Sequence, residues 1–133
     1  MGSPDRSGLL AVAAECVSLV AEIFGHELDY SLESLVTLDQ VCANLVADGP
    51  LSGKRLNLWS HLAGAYTGEV CLRAYGGEWI EDDGATAISI SGLTGYPFNT
   101  AYRVLSGEEF KSLASFARSI PALIEHSRRN NPT

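Results

Sequence analysis

Residues 62–70 read Leu-Ala-Gly-Ala-Tyr-Thr-Gly-Glu-Val, and residues 76–79 read Gly-Gly-Glu-Trp. The first stretch has the apolar spacing of a buried helix, and the glycine pair after it is typical of a helix end. At about 100° per residue, one stripe of this helix contains Leu58, Leu62, Ala65 and Leu72. We therefore predict a central helix from about Asn57 to Gly76, packed between the preceding helix and a following β-hairpin.

Glu69 falls in the middle of this apolar stripe, where a carboxylate must be hydrogen-bonded, paired or neutralised. One interpretation is an acid/base or ligand-binding pocket formed by Glu69 with Tyr66, Arg73 and Trp79. The other is a structural carboxylate held by backbone amides, by the Trp79 indole, or by an arginine such as Arg73 or Arg103. We favour the structural interpretation because structural networks also perturb buried acids. The four residues remain the candidate ligand-binding set.

Gly64 and Gly68 lie four residues apart on the same predicted helix. Two glycines inside a helix cost about 2 kcal/mol relative to two alanines, so we expect another element to use the space. A close approach by a helix or by the hairpin is the expected use. A phosphate-binding loop is not indicated, because no strand precedes the glycines and no Gly-Lys-Ser/Thr pattern follows.

Two more helices are predicted before the central one. The first runs from Ser3 or Ser7 to Gly25, with Ser3-Pro4 as its start. The second starts at Ser31, with Tyr30 packing on Leu35, and ends at residues 48–50. Its inner face is predicted to consist of Leu32, Leu35, Leu38, Cys42 and Leu45. Residues 50–56 are predicted to form a loop.

A β-hairpin is predicted after the central helix. Residues 78–82 and 85–91 read as strands, and the Asp83-Gly84 pair between them favours a two-residue turn. This turn places Trp79 opposite Ile88. Residues 92–97 are rich in turn formers, and residues 98–105 fit either a third strand or a short helix.

A final helix is predicted from Ser106, because Glu109 completes a capping box with it. Pro121 is expected to kink or restart that helix, since proline removes a backbone hydrogen bond. Helices and strands are segregated along the chain, which indicates an α+β fold with three N-terminal helices, a hairpin or meander, and a C-terminal helix. We expect one domain spanning residues 1–133, with a core of about 3–126 and a polar tail at 127–133.

Composition limits the partners and the chemistry. The formal charge is −7, from nine Lys and Arg against sixteen Asp and Glu, which disfavours nucleic acid and anionic membranes as partners. No signal peptide and no run of 18 apolar residues is recognised, so we expect a cytoplasmic protein. The three cysteines are expected to be reduced core residues: Cys16, Cys42 and Cys71.

No metal ligand set, cofactor loop or catalytic residue is assigned. The three histidines are far apart in the sequence, without the spacing of a metal motif: His26, His61 and His126. A Cys–His nucleophile pair would require the fold to bring Cys16 or Cys71 to His61.

The central motifs, together with Tyr96-Pro-Phe98 and an upstream helix beginning Asp29-Tyr-Ser-Leu-Glu-Ser-Leu, resemble a bacterial, in particular actinobacterial, domain family of unknown function. That family has a helix reading G-x-Y-x-G-E, followed by a G-G-x-W strand entry and a later P-F. The resemblance covers about residues 28–120. It implies the fold and no particular activity. The sequence differs at Thr67 and Cys71, where larger apolar residues are expected.

The sequence favours a small non-enzymatic module that binds a protein partner or a second copy of itself. The alternative is a small-ligand sensor or an enzyme with a pocket around Glu69. A large polar pocket reaching Glu69 would favour the alternative, and a filled core with an exposed apolar patch would favour the binding module.

Overall fold

A computed structural model describes residues 5–109 and 111–130. Within them the chain forms five α-helices and a three-stranded antiparallel sheet, which confirms the α+β class. The helices are α1 (Arg6–Leu19), α2 (Ser34–Leu45), α3 (Gly53–Tyr75), α4 (Pro97–Leu105) and α5 (Leu113–Asn130). The strands are β1 (Glu78–Asp82), β2 (Ala85–Ile90) and β3 (Leu93–Gly95), in that order across the sheet.

The α1 helix starts at a side-chain cap and ends at a glycine. The Asp5 carboxylate accepts a hydrogen bond from the Ser7 N–H at 3.1 Å, so Asp5 is the N-cap. The predicted start at Ser3-Pro4 lies outside the described residues. A π-helical turn, Val20–Phe24, continues the helix. Gly25 then ends it with φ +71°, as predicted, because glycine adopts the left-handed conformation without a Cβ clash.

The α2 helix begins at Ser34, three residues after the predicted cap. The Ser31 hydroxyl and carbonyl both still accept from the Ser34 N–H, each at 3.1 Å, so Ser31 begins the turn that leads into α2. Leu35, Leu38 and Cys42 are buried, as predicted for the inner face. Leu32 and Leu45 are only partly buried.

The α3 helix is the central element, because every residue from Leu62 to Leu72 is buried. It begins at Gly53, so the predicted loop over residues 53–56 was wrong. Leu56 is buried and anchors the extra turn. Leu58 is 48% exposed, although the stripe placed it inside, because neighbouring elements surround α3 only from Leu62 onward. α3 packs mainly against α4 and α1 rather than α2, which is a further correction.

The hairpin has the predicted register, with Trp79 paired with Ile88. A short third strand, β3, then extends the sheet within the segment predicted as turns. Residues 98–105, which fitted either a third strand or a short helix, are helical and belong to α4. Its first residue is Pro97, a position where proline is preferred because its missing N–H would be unpaired there anyway.

The last helix starts at Leu113, so the predicted start at Ser106 with a Glu109 capping box was wrong. Ser106 instead ends α4, where its hydroxyl donates to the Tyr102 carbonyl at 2.7 Å. Gly107, with φ +83°, then turns the chain away from the helical path. α5 runs through Pro121 without a restart and continues to Asn130, into the predicted polar tail. Residues 131–133 lie outside the described residues.

Asp39 of α2 caps α5 from a distance in sequence. Its two carboxylate oxygens accept from the Leu113 N–H at 2.7 Å and the Ala114 N–H at 3.1 Å. Burial raises the pKa of Asp39 above its usual 3.8, against the lowering effect of the two hydrogen bonds. The charged form is therefore the costlier one in the folded state.

We expect Asp39→Asn to lower the free energy of unfolding, relative to the wild type, by less at pH 7 than at pH 3.5. A carboxyl whose pKa is raised on folding stabilises the protein fully below the unfolded pKa, and this contribution falls as pH rises above 3.8. Thermal unfolding of both proteins at the two pH values measures the difference. If the stability difference between wild type and Asp39→Asn instead grew with pH, the two N–H donors would lower the pKa of Asp39 by more than burial raises it.

Candidate functional site

The Glu69 carboxylate is fully buried and has a partner for each oxygen. The Trp79 indole N–H donates to Oε2 at 2.8 Å, and the Arg6 guanidinium donates to Oε1 at 3.2 Å. The Arg6 side chain is 50% exposed, so it bridges solvent and the buried acid from the first turn of α1. Each feature is what the structural interpretation of Glu69 requires.

The arginine that reaches Glu69 is not one of those expected from the sequence. Arg73 lies over the Tyr30 ring, 3.7 Å from its centroid, and Arg103 pairs with Glu108 at 3.7 Å. Arg6 is 63 residues from Glu69 along the chain, and no local spacing marks the pair. Only the packing of α1 on α3 brings them together.

Tyr66 holds the loop between α1 and α2. Its hydroxyl accepts from the Tyr30 N–H at 2.8 Å and shares a 2.6 Å hydrogen bond with Ser34. The Ser34 hydroxyl already donates to the Ser31 carbonyl, so the proton between Tyr66 and Ser34 comes from Tyr66. Burial raises the pKa of Tyr66, which keeps the hydroxyl protonated at neutral pH.

These bonds also explain an unusual backbone at Tyr30, whose φ is +65°. A bulky residue rarely adopts this conformation and needs surrounding contacts to keep it. The Tyr66 hydrogen bond, the Tyr66 ring at 4.9 Å and the Arg73 cation–π contact supply them. Tyr66 and Arg73 therefore each have a structural contact that orders this loop.

Three of the four candidate ligand-binding residues, Tyr66, Glu69 and Trp79, are buried, and Arg73 is exposed. None of them, Tyr66, Glu69, Arg73 or Trp79, lines any of the five main cavities of the described part of the chain. Their role in ligand binding stays a prediction, and the Glu69 substitution discussed below tests it.

The two helix glycines of α3 allow close packing, as predicted. A Cβ at Gly64 would lie 2.5 Å from a ring carbon of Phe98, at the start of α4. A Cβ at Gly68 would lie 2.1 Å from the Trp79 ring, in the hairpin. Both separations are far inside van der Waals contact. The absence of a side chain at the two glycines therefore lets Phe98 and Trp79 pack directly against α3, and these contacts attach α4 and the sheet to it.

A solvent-open cleft of about 450 Å³ lies between α3, α4 and the start of β2, with one residue from α1. We call it the aromatic cleft; it is lined by Leu9, Asn57, Ser60, His61, Ala85, Thr86, Tyr96, Phe98, Asn99 and Tyr102. Its volume lies within the range of about 300–1,000 Å³ that is usual for ligand sites. Among the described residues, no Lys, Arg, Asp or Glu side chain lines it.

Four of the ten residues that line the cleft carry aromatic rings. The His61 ring stacks on Phe98 with centroids 5.4 Å apart and planes 23° from parallel. Tyr96 and Tyr102 are 38% and 48% exposed, so both present apolar ring surface to solvent. The Tyr96 hydroxyl donates to the Asp82 carboxylate, and this bond raises the pKa of Tyr96.

Sequence reasoning missed the cleft. From the sequence, Tyr96-Pro97-Phe98 stands out only for its resemblance to a family motif. The usable signal was the amphipathic pattern of α4, which buries Ala101 and Leu105 and exposes Tyr102. Because residues 98–105 fitted two kinds of element, that face was not assigned.

Thr67 has the one buried side-chain polar atom without a hydrogen-bond partner among the described residues. It lies in the middle of α3 and is fully buried. We expect Thr67→Val to raise the free energy of unfolding by about 1 kcal/mol, because the buried hydroxyl is desolvated without compensation. Chemical denaturation measures this, with Thr37→Val in α2 as the control for helix propensity. A destabilised Thr67→Val protein would show that the hydroxyl has a partner.

The three cysteines are buried and free, as predicted. Burial raises the pKa of Cys16 and of Cys71 to about 12, and it also raises that of Cys42. We therefore expect slow labelling of all three thiols in the native protein and fast labelling after unfolding, because the thiolate is the reactive form. Rapid native reaction at even one site would contradict this. The Cys–His nucleophile pair considered from the sequence would join residues that the structure places differently. His61 is exposed and stacks on Phe98, whereas Cys16 and Cys71 are fully buried.

In the described part of the chain, one helix has the length and composition to cross a membrane. It spans Arg6–Phe24, and an 18-residue segment of it has a mean hydropathy of 1.8 with 17% of that segment buried. Glu15, Ser18 and Glu22 interrupt its apolar residues, so the helix contains no run of 18 uninterrupted apolar residues. Core helices of soluble proteins and signal sequences meet the same criterion, so it assigns no location. The cytoplasmic location stays a prediction.

Comparison with known proteins adds no assignment. No family model matches the chain, and no curated protein or solved structure matches it. The resemblance to a bacterial domain family therefore stays a prediction.

Proposed function

We propose that this protein is a non-enzymatic binding or accessory module and that the aromatic cleft is where it holds a protein partner. The observation that carries this proposal is the exposure of Tyr96 and Tyr102 beside the stacked His61–Phe98 pair. Tyrosine is enriched where proteins bind one another, because its ring buries apolar area while its hydroxyl makes hydrogen bonds. The remaining lining groups, such as Asn57 and Asn99, supply neutral hydrogen-bonding partners.

The core residues with chemical potential support the same proposal. Both oxygens of Glu69 and the hydroxyl of Tyr66 are already engaged within the fold. The cysteine thiols are buried with raised pKa values. Exposed aromatic surface, from Tyr96 and Tyr102, lies at the cleft instead.

Selection from a random-peptide display library tests this function. The library is panned on wild-type protein, and peptides that also bind Tyr102→Ala are removed. Leu58→Ala is the matched control, because Leu58 is exposed to the same degree on α3 but does not line the cleft. We expect peptides that bind wild type and Leu58→Ala equally and Tyr102→Ala at least about tenfold more weakly. Recovery of no such peptide would overturn the proposal.

A further inference from the structure

The start of β2 has an open backbone edge. Asp82 and Ala85 flank the two-residue turn, so they form a hydrogen-bonded pair of the antiparallel ladder. Pairs alternate along such a ladder, so Glu81 and Thr86 are a non-hydrogen-bonded pair. The N–H and C=O of Thr86 therefore point away from β1, towards the edge that β3 occupies further along.

β3 is too short to reach Thr86. Its last pair joins Gly95 to Ile88, two residues beyond Thr86 along β2. The chain then leaves the sheet, because Pro97 starts α4 and has no N–H to donate. No turn, loop or cap hydrogen bond of the described residues engages the Thr86 backbone. One N–H and one C=O are thus left at the sheet edge.

This open edge lies in the aromatic cleft, because Thr86 is one of its lining residues. Two acidic side chains border the same place. Glu81 accepts from the Thr86 hydroxyl at 3.1 Å, and Asp82 accepts from the Tyr96 hydroxyl. No Lys or Arg of residues 5–109 and 111–130 lines the cleft to neutralise them, and the whole chain carries a formal charge of −7. The border is therefore complementary to a cation.

We propose that the cleft binds an extended segment of a partner protein by strand addition, with one ligand residue exchanging two hydrogen bonds with Thr86 and a nearby Lys or Arg meeting Glu81 and Asp82. This inference rests on the proposed function and specifies the partner's chemistry. Backbone pairing supplies affinity, and alternate side chains of an extended segment supply specificity. One apolar side chain of the segment enters the cleft beside Phe98.

Hydrogen exchange of the free protein tests the open edge without any ligand. The Thr86 amide should exchange at least about tenfold faster than the Ile88 amide, which is paired with Gly95. Equal protection of the two amides would overturn the inference, whatever the cleft binds.

The peptide that display recovers with the highest affinity is the probe for strand addition. Methylation of its backbone nitrogens, one at a time, should weaken binding about tenfold at one residue, the loss expected for a single hydrogen bond. Binding should also protect the Thr86 amide, fall with added salt, and weaken for Glu81→Gln and Asp82→Asn. The control Glu22→Gln, at an exposed position of the π-helical turn that follows α1, should bind like wild type.

The outcomes separate the two proposals. A peptide that distinguishes wild type from Tyr102→Ala but tolerates methylation everywhere, or leaves Thr86 unprotected, would overturn strand addition and keep the binding module. Recovery of an acidic peptide whose binding strengthens as the salt concentration falls would contradict the inference that the bound segment is cationic. Failure to recover any cleft-dependent peptide would overturn both proposals.

Discussion

Glu69→Gln is expected to lower the free energy of unfolding by about 1–3 kcal/mol, because an amide matches neither partner of the carboxylate fully. One side of the amide carries an N–H₂ group, which cannot accept from the Trp79 indole or from Arg6. Whichever way the side chain is turned, one donor that now binds Glu69 loses its acceptor. Thermal melts at pH 7 measure the effect.

The same experiment separates the two interpretations of Glu69. A carboxylate kept for function is often held at a cost to the fold, so its replacement leaves stability unchanged or higher. An unchanged or raised melting temperature of Glu69→Gln would contradict the structural interpretation, and a clear drop would contradict the active-site interpretation. Glu22→Gln is the control for a change of charge, because Glu22 is exposed on the same protein. We expect its melting temperature to stay close to that of the wild type.

A drop for Glu69→Gln should be coupled to Arg6. Once residue 69 is an amide, Arg6→Met should cost less than it costs in the wild type, because the ion pair is already gone. The double-mutant cycle therefore measures the interaction directly. Additive effects of the two substitutions would show that the 3.2 Å pair contributes little to stability.

Gly68→Ala is the second substitution with a large expected effect. Alanine favours a helix over glycine by about 1 kcal/mol, so the change would stabilise an open site. At Gly68 the new methyl group would lie 2.1 Å and 2.4 Å from two ring carbons of Trp79. Overpacking of this kind costs about 1–3 kcal/mol and outweighs the propensity gain. We expect a net loss of stability in chemical denaturation.

Trp79 has little freedom to relieve that clash. Its side chain is 2% exposed, and its indole N–H is bound to Glu69. A shift of the ring would therefore break the buried hydrogen bond as well as the packing. Gly8→Ala is the matched control, because the nearest atom to its new Cβ is at an ordinary 3.5 Å. Stabilisation of both alanine variants would show that the glycine face of α3 is open.

Several features of the fold were legible in the sequence, because they depend on short-range physics. The Asp83-Gly84 turn determines the hairpin register, and Trp79 pairs with Ile88 as a result. A helix containing two glycines implied close neighbours, and Phe98 and Trp79 fill those places. The burial of Glu69 followed from its position among apolar residues at helical spacing.

Helix ends were less predictable where two local signals compete. Ser106 and Glu109 satisfy a capping box, yet Ser106 ends α4 because Gly107 turns the chain. The start of α5 is decided by Asp39, whose carboxylate caps it across 74 residues of sequence. A long-range cap of this kind leaves no local pattern.

The sequence by itself determined the α+β class, the hairpin register, and the need of Glu69 for partners. The Trp79 indole was among the partners considered from the sequence, but tertiary structure alone decided that the arginine is Arg6, and that Tyr66 and Arg73 hold a loop. It also decided where the open surface lies. The aromatic cleft and the free edge at Thr86 arise where α1, α3, α4 and β2 meet, so neither has a counterpart in the spacing of residues within one element.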